Sequence, residues 1–131
     1  MVRMELSRLV ICETNDEQSI TLKEAEGERS IPIMIGIYEA AAIERKIKGH
    51  RSPRPLTHDL LTSVIAEMGA RLTRVVVSEF RDTTFFAKLV LEFEGQEREV
   101  DARPSDAIAL AISSSAPIFV DESVFKAMGS H

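Results

Sequence analysis

A single cysteine, Cys12, among 131 residues excludes an intrachain disulfide. Its neighbours Leu9, Val10 and Ile11 mark it as a small core hydrophobe. Tryptophan is absent and tyrosine occurs once, so a platform of stacked aromatics for single strands is poorly supplied. No apolar run is long enough to span a bilayer. Met1 to Glu5 leads directly into a half-polar strand pattern rather than a signal peptide, which gives a cytoplasmic expectation. There is no CxxC or HExxH, against a structural zinc or a zincin, and no GxGxxG or Walker loop, against nucleotide binding by those routes. Gly36 does not sit in a nucleophile elbow. Positive charge is also scarce overall: a net charge of −5 argues against general adhesion to nucleic acid.

The chain does have the makings of one folded domain, with 44% hydrophobic and 28% charged residues. Alternation predicts strands over Met4–Glu13, Ser19–Ala25 and Arg29–Ile35, with turns at Asn15-Asp16 and Glu26-Gly27-Glu28. Pro32 places the third at an edge or a bulge. A helix over Ile37–Ile47 is expected to bury Ala40, Ala41, Ile43 and Ile47 and to stop at Gly49. The loop His50–Leu56 is kept extended by Pro53 and Pro55. A second helix runs from Thr57, its expected cap, to Met68, with Leu60, Leu61, Val64, Ile65 and Met68 as its buried stripe.

Strands Leu72–Phe80 and Thr84–Phe93 follow, joined by Arg81-Asp82-Thr83, and Gly95-Gln96 opens a hairpin into Arg98–Asp101. A helix over Pro104–Ser114, a strand over Ile118–Val120 and a helical piece over Glu122–Met128 complete the pattern. The expectation is α+β: a mostly antiparallel sheet of hairpins with interspersed helices, in a single compact domain. Gly129-Ser130-His131 reads as a tag remnant, and His131 is set aside as a ligand.

Three polar clusters fall where elements begin, the usual place for sites. They are Gly36-Ile37-Tyr38-Glu39, Arg54-Pro55-Leu56-Thr57-His58-Asp59 and Asp101-Ala102-Arg103-Pro104-Ser105-Asp106. The third is the densest, with Pro104 suited to the first helical position and Ser105 and Asp106 in the first turn. Each residue has a structural reading, since capping side chains are common and worth about 1 kcal/mol apiece. Capping leaves Arg103 and Asp101 unexplained.

The same residue types also suit phosphodiester chemistry. Glu39, Asp59, Asp101 and Asp106 supply carboxylates for Mg²⁺ or Mn²⁺, Arg54 and Arg103 grip phosphate, and His58 serves as general base. The basic run Arg45, Lys46, Lys48, His50, Arg51 and Arg54 is either a solvated helix end or a phosphate-contacting patch.

The series IGIYEAAAIERKIKG, PRPLTHDLL, FRDTTFFAKL, DARPSDAIALAI and APIFV resembles the bifunctional nuclease family, in order and spacing over nearly the whole chain. The resemblance implies a compact α+β domain over residues 1–128, a wedge-like homodimer with a large groove, and hydrolysis of both RNA and DNA with little base preference. It carries over the motif positions Glu39, Arg54, Thr57, His58, Asp59, Asp101, Arg103, Ser105 and Asp106. A departure falls at Ser113, where the family often has Arg, implying weaker contact with substrate.

Two readings follow from different classes. In one, a metal-dependent nuclease holds its ion on Asp59, Asp101 and Asp106, with Glu39 as a further candidate, while His58 activates water and Arg54, Arg103, Ser105 and Thr57 bind substrate. In the other, a non-catalytic module uses the same groove for a phosphate-bearing ligand or a protein partner. A purely structural use of the clusters, as caps and interface salt bridges in an oligomer, is the third.

Overall fold

In the computed structural model, residues 1–12, 17–50 and 53–129 are described. The turn expected at Asn15-Asp16, the end of the first strand at Glu13, Arg51 of the basic run and Ser130-His131 lie outside them. Strands β1 (Val2–Ile11), β2 (Gln18–Glu24) and β3 (Ser30–Ile35) lead into helices α1 (Ile37–Ile47) and α2 (Thr57–Glu67). Strands β4 (Ala70–Arg81), β5 (Thr84–Phe93) and β6 (Gln96–Ala102) follow, then α3 (Pro104–Ser114), β7 (Ile118–Val120) and α4 (Glu122–Ala127).

All seven strands join one sheet in the order β3-β2-β1-β7-β4-β5-β6. Every neighbouring pair is antiparallel except β4 with β7. The short β7 thus joins two antiparallel halves, β1–β3 and β4–β6, into a continuous surface. Pro32 lies on β3, an edge of the sheet, where its missing N–H costs no ladder bond. The β4–β5 turn is two residues, Asp82 and Thr83, both with positive φ, as right-twisted hairpins require. Glu94 and Gly95 close the β5–β6 turn in the same way, one residue earlier than the sequence suggests.

The core lies between the sheet and the helices. Ile20, Leu22, Ile31 and Ile33 from one half of the sheet and Val75, Val77, Ala87 and Leu89 from the other meet Ala107, Ile108, Leu110 and Ala111 of α3. Helix α3 is buried continuously from Ala107 to Ala111, so it is the central helix, apolar on nearly every side. Its alanines let it lie close to the strands. Phe125 of α4 is fully buried, and the Arg29 guanidinium lies 4.0 Å above its ring while pairing with Glu24 and Glu122.

Two expectations about burial are corrected. Helix α2 buries no residue completely: Leu60 is 56% exposed, Met68 68%, and Leu61 and Val64 are likewise exposed. Periodicity identified its apolar face correctly, but only one side of α2 touches α3 and β4, and the rest of the stripe faces outward. Ile47, in the last turn of α1, is also exposed, on a shallow cavity that it shares with Leu6 and Leu9 of β1. Among the described residues, no helix is long and apolar enough to cross a membrane.

Candidate active site

Helices α1, α2 and α3 bring their N-terminal turns together because α3 is sandwiched by the other two. The first turn of each carries a carboxylate: Glu39, Asp59 and Asp106. Capping explains only one of these. Leu56, not Thr57, occupies the N-cap of α2, and Asp59 reaches back to accept the Leu56 N–H at 3.4 Å. At α3, Arg103 is the N-cap and Pro104 the first helical residue, with no side-chain cap hydrogen bond at all. Asp106 is therefore free for longer-range contacts.

Asp106 makes two of them. Its Oδ1 lies 3.0 Å from His58 Nε2, and its Oδ2 accepts from Arg103 Nε and Nη2, both at 2.9 Å. The Arg103 guanidinium also reaches Glu39 Oε1 at 3.4 Å. The four residues form a chain, Glu39–Arg103–Asp106–His58, that ties α1 to α3 to α2. Two carboxylates flank one guanidinium, and the Asp106 bonds hold its charge more firmly than usual, raising the Arg103 pKa. Glu39 is only 8% exposed and folds back on Gly36, where an added Cβ would lie 2.7 Å from its Oε1. A larger residue there would push the Glu39 carboxylate from its place.

A second set of bonds surrounds Asp59. Ser113 Oγ donates to its Oδ1 at 3.1 Å, and Lys46 Nζ stands 3.5 Å from the same oxygen. Burial pushes the Asp59 carboxyl up, but the Leu56 N–H, the Ser113 hydroxyl and Lys46 outweigh it and hold the group below its ordinary value. Between these two sets opens a cleft of about 330 Å³, lined by Arg45, Lys46, His50, His58, Asp59 and Ser113 among others. Its charged rim holds two cations against one carboxylate. Chemically, it offers an imidazole oriented by a carboxylate, next to positive charge.

The sequence profile of the Bifunctional nuclease domain matches residues 20–131, which contain this whole arrangement. The chain belongs to the bifunctional nuclease domain family. Relatives include an uncharacterized protein of Mycobacterium tuberculosis, 42% identical over 110 residues, a match covering 84% of this chain and 65% of the relative. Proteins named Bifunctional nuclease 1 from Oryza sativa subsp. indica and Bifunctional nuclease from Oryza minuta are each 26% identical over 110 residues, 81% of this chain and 33% of theirs. The chain thus spans less than two thirds of the length of these relatives.

Of the motif positions the family resemblance carries over, Glu39, His58, Arg103 and Asp106 form one connected chain and Asp59 lines the adjoining cleft. Ser105 is buried in the first turn of α3. Thr57 is the exposed first residue of α2, and Arg54 lies exposed in the α1–α2 loop with no ion pair among the described residues. Asp101 is displaced from the cluster: it lies on the exposed edge strand β6, opposite Lys88 of β5.

On that strand Asp101 does not join the connected chain that holds Asp106 or the bonds around Asp59. Among the described residues no group of three His, Cys, Asp or Glu side chains is placed to hold one ion. The oxygens of Asp106 face His58 and Arg103, and those of Asp59 face Lys46, Ser113 and the α2 N-terminus. These carboxylates, as arranged, do not fit a Mg²⁺ or Mn²⁺ site.

Lys46, Ser113 and His50 were legible only as parts of other patterns. Lys46 and His50 belonged to a basic run, and Ser113 appeared only as a departure from the family. The run itself held the available signal, since Gly49 ends α1 with φ +71. There the His50 N–H bonds the Arg45 carbonyl and the Gly49 N–H that of Lys46, a C-terminal motif that fixes where the chain turns.

Proposed function

We propose that this protein is a nuclease of low base specificity that cleaves phosphodiester bonds of RNA and DNA in the cleft between α1, α2 and α3. The observation that carries this reading is the His58–Asp106 contact at 3.0 Å on a cleft rimmed by Arg45 and Lys46. Asp106 accepts from His58 Nε2, which fixes the tautomer and leaves Nδ1 with the lone pair that takes a proton from the attacking oxygen. Lys46 and Arg45 neutralise charge building on the non-bridging phosphoryl oxygens. Arg103 holds Asp106 in place through its fork of donors, and Glu39 holds Arg103. The relatives named as bifunctional nucleases support the assignment to this class of chemistry.

Single-stranded RNA and DNA are incubated with wild type and His58→Ala in Mg²⁺, Mn²⁺ or EDTA. Cleavage by wild type and its loss in His58→Ala support the reading. A second reading, a non-catalytic module that binds a phosphate-bearing ligand, draws on the fact that Glu39, Asp59 and Asp106 all face cationic partners already. Phosphate or oligonucleotide binding without cleavage in any condition would favour it.

A further inference from the structure

Arg103 lines a second cavity, of about 510 Å³, where the end of β3 and the β4–β5 turn approach the start of α3. Met34, Gly36, Thr83, Thr84 and Ser105 are among its walls. It shares no lining residue with the His58 cleft, and Asp106 links the two by bonding His58 on one and Arg103 on the other.

At its α3 end this cavity presents donors that lack acceptors. Ser105 is only 6% exposed, and its hydroxyl has no hydrogen-bond partner among the described residues. Fully enclosed side-chain oxygens there all have partners, so this hydroxyl opens on the cavity that Ser105 lines. Pro104 has no N–H, and the first bond within α3 runs from the Ala107 N–H to the Arg103 carbonyl. The N–H groups of Ser105 and Asp106 are left without a backbone acceptor, and no side chain caps them. Arg103 is 68% exposed and uses Nε and Nη2 on Asp106 and Glu39, which leaves Nη1. The Thr83 and Thr84 hydroxyls, by contrast, both bond the Asp82 carbonyl. A guanidinium end, a buried hydroxyl and two helix-start N–H groups from one turn suit a group with several acceptor oxygens, as phosphate has.

Resting on the nuclease reading of the neighbouring cleft, we propose that this cavity is a second phosphate subsite, holding a phosphate of the bound strand other than the one cleaved. Phosphate is common to RNA and DNA and carries no base identity, so the subsite agrees with cleavage of both at low base preference. Glu39 and Asp106 are two carboxylates against one guanidinium, so free phosphate binds weakly here. A phosphate tethered to a strand already in the His58 cleft gains effective concentration.

Two measurements test the subsite. In the first, isotope-labelled protein is titrated with inorganic phosphate and its amide signals are followed by NMR. The Ser105 and Asp106 signals should move to saturation, and Ser105→Ala should weaken the dissociation constant read at Asp106 by about tenfold, as for a lost hydrogen bond to a charged group. That variant removes only an unpaired hydroxyl, so its melting temperature should match that of wild type. In the second, KM is measured on a thymidine dinucleotide, whose one phosphate is the scissile one, on the dinucleotide with a terminal phosphate, and on the trinucleotide. An added phosphate should lower KM by about tenfold in wild type and by far less in Ser105→Ala, with kcat alike. A gain from the terminal phosphate alone assigns a monoester to the subsite, and a gain from the trinucleotide alone an internal diester.

Movement at Asp59 with Ser105 and Asp106 unmoved, or a titration unchanged by Ser105→Ala, would overturn the phosphate site whether or not the protein is a nuclease. Phosphate binding at Ser105 with KM indifferent to added phosphates would overturn its hold on the strand and leave the nuclease reading in place. Failure to cut any of these substrates or single-stranded RNA would overturn the nuclease reading and the role in strand binding, while the titration still decides whether the cavity takes phosphate.

Discussion

His58 Nε2 and Asp106 Oδ1 meet at 3.0 Å although 48 positions separate them in the chain, and each stands in the first turn of its own helix. The contact exists because α2 packs across α3, and it fixes the imidazole by its Nε2. A neutral amide in place of the carboxylate would keep the shape but offer one acceptor oxygen for two donors; with that oxygen held by Arg103, an N–H would face His58 and select the other tautomer. Asp106→Asn is expected to lower the cleavage rate constant by about 10²–10⁴-fold, the range seen when such an orienting carboxylate or general base is disabled. Michaelis constants should change little, which steady-state kinetics on single-stranded RNA will show.

Arg103 is predicted to act through Asp106 rather than on substrate alone. Its two donors to Oδ2 are both 2.9 Å long, a geometry a lysine cannot copy. Arg103→Lys should therefore lose activity nearly as far as Arg103→Ala. Full rescue by lysine would show that only the charge matters.

Helix α2 separates what periodicity reveals from what it conceals. Its apolar repeat marks one face, but whether anything covers that face depends on elements distant in the chain. Replacing Leu60 and Met68 together by Lys should change stability by less than about 1 kcal/mol, whereas Ile108→Ala, fully buried in α3, should cost about 2–5 kcal/mol. Urea unfolding checks both. A loss for the α2 pair as large as that for Ile108→Ala would mean that the stripe is covered in solution.

Acid should weaken the fold partly through Asp59. Its folded-state pKa lies below the ordinary 3.8, so the native state favours the ionised form. The stability it contributes is complete above that ordinary value and is lost as pH falls through the lowered one. Wild type should therefore lose stability more steeply than Asp59→Asn as pH falls through and below 3.8, by unfolding curves at each pH. Parallel curves would remove Asp59 from the acid response.

Much of the fold was legible because strands and helices here carry consistent local signals. Pro32 marked an edge, Gly49 a helix end, Pro104 a helix start, and the structure has each where the pattern put it. Glu39, His58, Arg103 and Asp106 were recognisable as polar residues at element starts, and the fold joins them. Asp101 was read together with Asp106 because they are five positions apart, but the fold puts them on different elements, β6 and α3, and only Asp106 enters the chain with Arg103 and His58. Ser113 and Lys46 escaped notice as partners of Asp59, since 54 residues separate Ser113 from Asp59 and only the packing of α3 against α2 brings them together.

The central claim is that the cleft beside His58 and Asp106 cleaves nucleic acid. Its most direct test measures cleavage of single-stranded RNA by purified wild type and Asp106→Asn side by side, with thermal unfolding of the same samples. The account predicts cleavage by wild type, loss of about two orders of magnitude or more in the variant, and closely matching melting temperatures. Equal cleavage by two equally folded proteins would contradict it.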